Sequence, residues 1–226
     1  MDGVQTSSSW LTAARWLLQV LIPVVLVLTS VRLMLTRGFI RLEYSLPGFP
    51  VDRYGFTRAD RLEQAPIALD YLLNDAGFGF LGDLRFEDGT PVYNQRELGH
   101  MVDVKMVVRG ALRIWRIGGL LAIGLGLLIW RVAGVPALGV ALEGGGKLTL
   151  WLMLAIFLGL ALAFSVVFVG FHQVFFESGT WTFAFSDTLI RLFPERFWQV
   201  AFATVTLGSG AMAGALWALA RRILRG

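Results

Sequence analysis

Residues 148–170 read LTLWLMLAIFLGLALAFSVVFVG, an apolar run without a charged side chain. An α-helix rises about 1.5 Å per residue, so roughly 20 apolar residues are needed to cross the hydrocarbon core of a bilayer, which is about 30 Å thick. This run is long enough, and three other segments are also long and predominantly apolar, of which only residues 197–220 likewise lack charged side chains. The sequence therefore predicts four membrane-spanning helices, at residues 16–35, 111–132, 148–170 and 197–220.

The composition excludes a soluble enzyme. The 226 residues are 56% hydrophobic and only 16% charged, whereas a soluble domain carries about 25% charged residues. The absence of cysteine excludes disulfides, thiolate metal ligands and a cysteine nucleophile. The net charge of +4 includes Arg221, Arg222 and Arg225, which follow the last apolar run. Basic residues there are typical of a cytoplasmic membrane border, so nucleic acid is not expected as a partner.

The topology follows from the number of spans. Four spans place both termini on the same side of the membrane, and the basic tail indicates that this side is the cytoplasm. The glycine-containing segment 143–147 is then predicted to be a cytoplasmic turn. Residues 37–108 and the loop 171–196 are predicted to be extracytoplasmic. We therefore expect a single all-α integral membrane domain over residues 1–226, with a structured extracytoplasmic segment between the first and second spans.

Local signals predict structure within this outer segment. Thr57 opens a short amphipathic helix that Pro66 is expected to interrupt. Residues 88–89, Asp-Gly, predict a hairpin turn. Asn94 is expected to cap a helix that leads to the second span, and Asp187 to cap a short helix in the second outer loop.

The chain contains two histidines, His100 and His172, and both are predicted to lie on the extracytoplasmic side. Glu97 and Asp103 lie one helical turn before and after His100, and a carboxylate at that spacing can orient an imidazole and raise its basicity. His172 directly follows the third span, where a polar group in an aromatic setting is costly and indicates function. Together, these positions favour a site built on the two imidazoles.

Structural interpretations fit the same residues. Glu97 lies three residues after Asn94, the spacing of a capping box. Asp103 and Lys105 fit a solvated helix face, and Trp181 fits the aromatic belt of a membrane interface. The sequence has no serine elbow, no zinc-binding His-Glu-x-x-His and no phosphate-binding glycine loop. Any catalysis must therefore use acid–base or metal chemistry by His, Asp and Glu.

Two motifs resemble those of the bacterial lipoprotein intramolecular transacylase family. The first is Arg96-Glu97-x-x-His100-Met101-x-Asp103-Val104-Lys105. The second is Phe171-His172-x-Val-Phe-Phe, followed by Trp181, Asp187-Thr-Leu-Ile190, Leu192-Phe193-Pro194 and Phe197-Trp198. The similarity extends to four spans in the same order, although Arg109, Arg113 and Arg116 have no counterpart in the family pattern.

The resemblance implies a reaction on diacylated lipoproteins at the outer leaflet of the bacterial cytoplasmic membrane. An acyl chain would move from the diacylglyceryl group to the α-amino group of the amino-terminal cysteine, giving a lyso-form lipoprotein, with no metal or cofactor. His100 is assigned as base and His172 as acid, although the reverse fits equally well. Lys105, Arg191 or backbone N–H groups near Asp187 are candidate donors to the oxyanion. Membrane phospholipid is the other expected partner.

Two alternatives remain open at this point. One is a metal-dependent membrane hydrolase, with Glu97, His100, Asp103 and His172 as ligands. The other is a membrane protein that binds lipids or lipoproteins without turnover.

The distance between the two histidines depends on the path of the helix. A straight helix would hold His100 roughly 16 Å beyond the start of the second span. The two histidines therefore meet only if the helix bends, for example at Gly110, or if the span begins earlier. Lipoprotein preference, acyl length and oligomeric state are not predicted.

Overall fold

The computed structural model describes residues 3–225, with side chains from residue 9 onward, and every regular element in that part is helical. The elements are α1 (Gly3–Met34), α2 (Arg37–Glu43), α3 (Arg58–Leu73), α4 (Gly79–Gly82), α5 (Gln95–Phe175), α6 (Thr188–Leu192) and α7 (Glu195–Arg225). The only strand-like pairing within residues 3–225 is a single antiparallel bridge between Arg85 and Pro91. The predicted all-α class is confirmed.

Among residues 9–225, three helices are long and apolar enough to cross a bilayer. They are the part of α1 from Ser9 to Met34, the whole of α5, and α7. The second and third predicted spans, residues 111–132 and 148–170, both fall within α5. The count of four spans therefore stays a prediction, and it depends on the path of α5.

Helix α5 reverses direction at Gly134. The φ angle of Gly134 is 78°, a left-handed conformation that favours glycine and ends a helical run. A Cβ atom on Gly126 would lie 3.7 Å from Cδ1 of Leu138, whereas twelve residues of straight helix would separate these positions by about 18 Å. Pro136 follows at the start of the returning segment, a position that tolerates a missing N–H group.

The turn predicted at residues 143–147 is wrong, because this segment is helical. Glu143 and Lys147 form a salt bridge of 2.8 Å one helical turn apart. A Cβ on Gly145 would lie 2.9 Å from Cβ of Ile22, and one on Gly146 would lie 3.2 Å from the carbonyl oxygen of Ala213. The glycines therefore permit close helix packing, a role they often have in membrane proteins, rather than a change of direction.

The chain divides into two compact units. Of the described residues, the first unit comprises 3–32, 112–158 and 204–225. Small and branched apolar side chains form its buried core, namely Ala14, Leu18, Ile22, Ile129, Ala137 and Ala141. Polar side chains within this unit pair with each other: Trp115 donates its indole N–H to the Thr29 hydroxyl at 3.0 Å. Such pairing matters because an unpaired polar group in an apolar environment is costly.

The second unit comprises Leu33–Ala111 and Gly159–Ala203. Its core includes Ile40, Tyr44, Leu69, Tyr71, Leu81, Val92, Leu98, Met101, Leu189, Leu192 and Phe197. Helix α3 begins at the predicted cap, where Thr57 and Asp60 form a capping box, but it continues through Pro66. The predicted interruption is wrong because the neighbours Ala65 and Ala68 are fully buried, and that packing holds the helix despite the missing proline N–H.

The predicted hairpin turn in the second unit is confirmed. The N–H of Phe86 donates to the carbonyl of Thr90 at 2.9 Å, and Gly89 has a φ angle of 83°. The predicted cap at Asn94 also forms, and α5 begins directly after it. Both histidines lie in this second unit.

Candidate active site

The two histidines face each other in the second unit. His100 lies in the first turns of α5 and His172 in its last turn. Their ring centroids are 6.2 Å apart and the ring planes differ by 20°. His172 is buried and His100 is partly buried. The two histidines therefore lie close together, as expected from the sequence. Gly110 remains helical, so their contact does not require a break in α5 at that residue.

The hydrogen bonding of His172 fixes its tautomer. Its Nδ1 atom lies 2.8 Å from the carbonyl oxygen of Phe168, one turn earlier in α5. A carbonyl oxygen only accepts hydrogen bonds, so Nδ1 carries the proton. In the neutral ring Nε2 is therefore left with a free lone pair, as a general base requires.

Aromatic side chains surround the pair, and we call this set the aromatic cage: Phe168, Phe176, Trp181 and Phe183. The ring of Phe168 is 4.2 Å from that of His172, and the ring of Trp181 is 4.9 Å from it. Phe176 and Phe183 lie 4.9 Å and 5.3 Å from the ring of His100. The two imidazoles therefore lie in a largely apolar, aromatic setting.

Burial sets the basicity of both imidazoles. Burial and, to a smaller extent, the nearby His172 together lower the pKa of His100 to about 4. Burial also lowers the pKa of His172, although the hydrogen bond to Phe168 opposes this effect. The raised basicity expected from the sequence is wrong, because desolvation of the charged form dominates. Both rings are therefore neutral at pH 7 and able to accept a proton.

Glu97 does not orient His100. Its carboxylate accepts one hydrogen bond from the N–H of Asn94 at 2.8 Å and another from the N–H of Leu189 at 2.7 Å. The capping box that the sequence allowed is thus the contact that forms, and it also ties the start of α5 to α6. Asp103 is partly buried, and within residues 9–225 it makes no hydrogen bond to either imidazole.

Asp187 organises the loop before α6. Its carboxylate accepts a hydrogen bond from the side-chain amide of Asn94 at 3.1 Å and another from the N–H of Ala184 at 2.9 Å. Its own N–H donates to the carbonyl of Ala184 at 3.0 Å. This N–H, one of the predicted oxyanion donors, is therefore already engaged.

Lys105 and Arg109 fasten the segment after α3. The Lys105 ammonium donates to the side-chain oxygen of Asn74 at 3.2 Å and to the carbonyl of Ala76. It also lies 3.9 Å from the ring centroid of Tyr71. Arg109 donates to the carbonyl of Asn74 at 2.7 Å. Lys105, the first predicted oxyanion donor, thus donates to other acceptors. Arg109, to which the sequence assigned no role, holds the same segment in place.

Arg191, the other predicted donor, is partly buried and forms an ion pair. It lies 3.0 Å from the Asp52 carboxylate and 3.6 Å from the ring centroid of Phe56. Burial alone would raise the pKa of Asp52, but the hydrogen bonds from Arg191 and from the Phe56 N–H lower it below its ordinary value. Arg61 donates to the carbonyl of Arg191 at 2.9 Å. This network fixes the loop before α3 against α6.

Comparison with known proteins identifies the family. The profile of the lipoprotein intramolecular transacylase Lit family matches residues 16–198. The chain belongs to this family. An uncharacterized protein of Aquifex aeolicus (strain VF5) is 31% identical to it over 189 residues, which cover 80% of this chain and 81% of that protein. Membership in the Lit family makes the chain a membrane protein of a family of lipoprotein-modifying transferases.

Solved structures share the fold. The membrane-integral lipoprotein intramolecular transacylase Lit of Bacillus cereus superposes with a TM-score of 0.80 at 18% identity, covering 96% of this chain and 97% of that one. A variant of that protein with a histidine replaced by alanine gives a TM-score of 0.78 at 17% identity, covering 99% and 98%. The helical architecture of this Lit family member is thus the architecture of those proteins.

Some residues of the site carried a weak sequence signal. Phe168 lies four residues before His172, the spacing at which a helical side chain meets a backbone carbonyl, so its role was accessible from the motif. Phe176 and Phe183 were indistinguishable from other apolar residues near the membrane border. Asp52 lies outside the Lit motifs and gave no signal at all.

The metal-hydrolase alternative lacks a ligand set. Within the part of the chain that the structure describes, no three side chains of His, Cys, Asp or Glu come together in a way that could hold a metal ion. Glu97, one of the four candidate ligands, directs its carboxylate to backbone N–H groups. The four residues named as ligands therefore do not form a metal-binding set in the described residues.

Proposed function

We propose that the chain catalyses acyl transfer within a diacylated lipoprotein. One ester-linked acyl chain moves from the diacylglyceryl group to the α-amino group of the amino-terminal cysteine, which gives a lyso-form lipoprotein. Membership in the Lit family supports the reaction class. The observation that carries the assignment to particular residues is the pair of imidazoles, 6.2 Å apart inside the aromatic cage.

The chemistry requires no enzyme nucleophile. The amine nitrogen forms an amide bond to the acyl carbon, the ester C–O bond breaks, and the proton lost by the amine ends on the glyceryl oxygen. Because amine and ester belong to one molecule, holding them in contact contributes roughly 7–11 kcal/mol toward the barrier. The protein supplies orientation and proton transfer.

His172 is the stronger candidate for the base. Its Nδ1 donates to the Phe168 carbonyl, so Nε2 is available to take the amine proton and to return it to the departing glyceryl oxygen. His100 has the lower pKa, which makes its protonated form scarce near pH 7. We assign His100 to a hydrogen bond with the glyceryl oxygen of the reacting ester, so the base is His172 and not His100, to which the sequence assigned that role.

We further propose that the protein has four spans in the bacterial cytoplasmic membrane, with both termini in the cytoplasm and the histidines on the extracytoplasmic side. The reversal at Gly134 divides α5 into two apolar segments, which supports the fourth span. The basic residues that end α7 support the cytoplasmic terminus. Lipoproteins anchored in the outer leaflet would reach the histidines from that side.

The decisive experiment uses purified protein and a synthetic diacylglyceryl lipopeptide with a free amino terminus. Tandem mass spectrometry should show an N-acyl lyso product of the same mass as the substrate, with one acyl chain on nitrogen. His172→Ala should abolish this product, and His100→Ala should abolish it or nearly so. Full activity in both variants would remove the assignment.

Two controls separate the competing functions. A lipopeptide with an acetylated amino terminus should not react, because it lacks the accepting amine. A hydrolase would instead release free fatty acid and would lose activity with a metal chelator. A protein that only binds would return the lipopeptide unchanged. Either of these two results would contradict intramolecular transfer.

A further inference from the structure

The proposed reaction needs a hydrogen-bond donor at the carbonyl oxygen of the ester, which is a different atom from the glyceryl oxygen assigned to His100. When the amine attacks the ester, the carbonyl oxygen gains negative charge, and donors placed at that oxygen stabilise the transition state strongly. Lys105 is held by Asn74 and Ala76, and Arg191 by Asp52. The donors first expected from the sequence are therefore directed elsewhere.

The indole N–H of Trp181 is a buried donor without an acceptor. Its Nε1 atom is inaccessible to solvent and has no hydrogen-bond partner among residues 9–225. An indole N–H can only donate a hydrogen bond, so Nε1 needs an acceptor, and the described residues do not provide one. A buried unpaired donor is destabilising and calls for an explanation, such as a ligand that supplies the acceptor.

The ring that carries this donor lies beside the imidazole of His172. Its ring centroid lies 4.9 Å from that of His172, with 37° between the planes. The Nδ1 atom of His100 is also buried and unpaired within the described residues. Two polar atoms without partners thus lie within the aromatic cage, whose other walls are apolar. An ester carbonyl attached to an acyl chain matches both features.

The loop around Trp181 is held in place rather than free. The N–H of Thr180 donates to the carbonyl of Glu177 at 3.2 Å, and the threonine hydroxyl donates to the same carbonyl at 2.9 Å. On the other side of Trp181, Arg96 donates to the carbonyl of Thr182 at 3.4 Å. A fixed donor is what stabilisation of a developing charge requires, because it does not reorganise during the reaction.

We infer that the indole N–H of Trp181 donates a hydrogen bond to the carbonyl oxygen of the transferred acyl group. This inference rests on the proposed transacylation. Trp181 forms and breaks no covalent bond: the oxygen gains charge as the amide bond forms and loses it as the ester C–O bond breaks. Trp181 is thus a catalytic residue distinct from the two histidines.

The test removes the N–H while keeping the ring. Trp181 is replaced by 3-benzothienylalanine, in which sulfur takes the place of the N–H, and in parallel by phenylalanine. With the diacylglyceryl lipopeptide as substrate, kcat should fall about 10²- to 10³-fold in both variants. KM should change by less than about twofold, because the bond strengthens only as charge develops.

The outcomes separate a failure of the role of Trp181 from a failure of the proposed transacylation. A wild-type kcat in the benzothienyl variant would overturn the role of Trp181. This holds even if Trp181→Phe has a reduced kcat, because the smaller ring of phenylalanine would then explain the reduction. Trp115→Phe is the matched control: its N–H already has the Thr29 hydroxyl as acceptor, and kcat should stay within about twofold of wild type. Inactivity of the wild-type protein would instead contradict the proposed function itself.

Discussion

The Nδ1 atom of His172 lies 2.8 Å from the carbonyl oxygen of Phe168, one turn earlier in the same helix. This bond fixes the ring in orientation and in tautomer, since only a protonated Nδ1 can donate to a carbonyl. A helix thus supplies from its own backbone the orientation that a histidine can also obtain from a carboxylate. In the function that we propose, the Nε2 lone pair is the atom that accepts the proton of the substrate amine.

We predict that His172 is neutral with its proton on Nδ1 at pH 7.5. Nitrogen NMR on protein labelled with ¹⁵N-histidine, solubilised in detergent, reports which ring nitrogen carries the proton. A spectrum of His100→Phe assigns the remaining signal to His172. A signal with the proton on Nε2, or with both nitrogens protonated at this pH, would contradict the tautomer and the role of base.

The sequence predicted those parts of the site that depend on local spacing. The caps at Thr57 and Asn94 and the hairpin turn all rest on residues within a few positions of each other, and the structure has them. Glu97 shows the limit: its capping bond was accessible from spacing, but its second partner, the N–H of Leu189, lies 92 positions away. Long-range partners of this kind cannot be read from a single sequence.

Glycine marks a second limit of the sequence. Gly134 makes the reversal in α5, while Gly145 permits close packing against Ile22. A turn and a close helix contact both favour the smallest residue, and only the neighbouring helix decides between them. The run of glycines at 144–146 predicted a turn, whereas the structure shows close helix packing there. The prediction that a carboxylate raises the basicity of His100 is wrong for a related reason. Glu97 is bound by backbone N–H groups instead, and burial lowers the pKa of His100.

We predict that stability falls on acidification partly through His100. Its pKa is about 4 in the folded protein and near 6.5 when unfolded. Between these values the unfolded chain binds a proton that the folded chain does not, so stability present above pH 6.5 is lost as the pH falls toward 4. Thermal unfolding in detergent at pH 7.5 and pH 5 measures the loss.

The control for this prediction is His100→Phe, which keeps a ring beside Phe176 and Phe183 but does not titrate. Its unfolding temperature should fall less than that of wild type between pH 7.5 and pH 5. Burial raises the pKa of Glu43 and Glu97, which acts in the opposite direction, but both residues are present in both proteins and cancel in the comparison. If the unfolding temperature of both proteins falls by the same amount between pH 7.5 and pH 5, then burial does not lower the pKa of His100.

We predict that Glu97 acts on stability through the two backbone N–H groups it binds. Glu97→Ala leaves the N–H groups of Asn94 and Leu189 without an acceptor, at a cost of about 2 kcal/mol or more. Glu97→Gln keeps one acceptor oxygen and should lose less. Chemical denaturation in detergent measures both, and transacylase activity should fall in parallel because α5 and α6 separate. Glu87→Ala, at an exposed position, should change stability by less than about 0.5 kcal/mol.

We predict that Gly145→Ala destabilises the first unit, because the added Cβ would lie 2.9 Å from Cβ of Ile22 and 3.1 Å from its Cγ1. Ile22→Ala alone leaves a cavity and also destabilises, by about 2–4 kcal/mol. In the double variant the smaller side chain at 22 relieves part of the clash, so its loss should be less than the sum of the two single losses. Gly119→Ala is the matched control, since a Cβ there meets nothing within 4 Å and alanine favours helix. If Gly145→Ala is as stable as Gly119→Ala in thermal unfolding, then residues 143–147 do not pack against α1, and a turn at that segment would again be the better description.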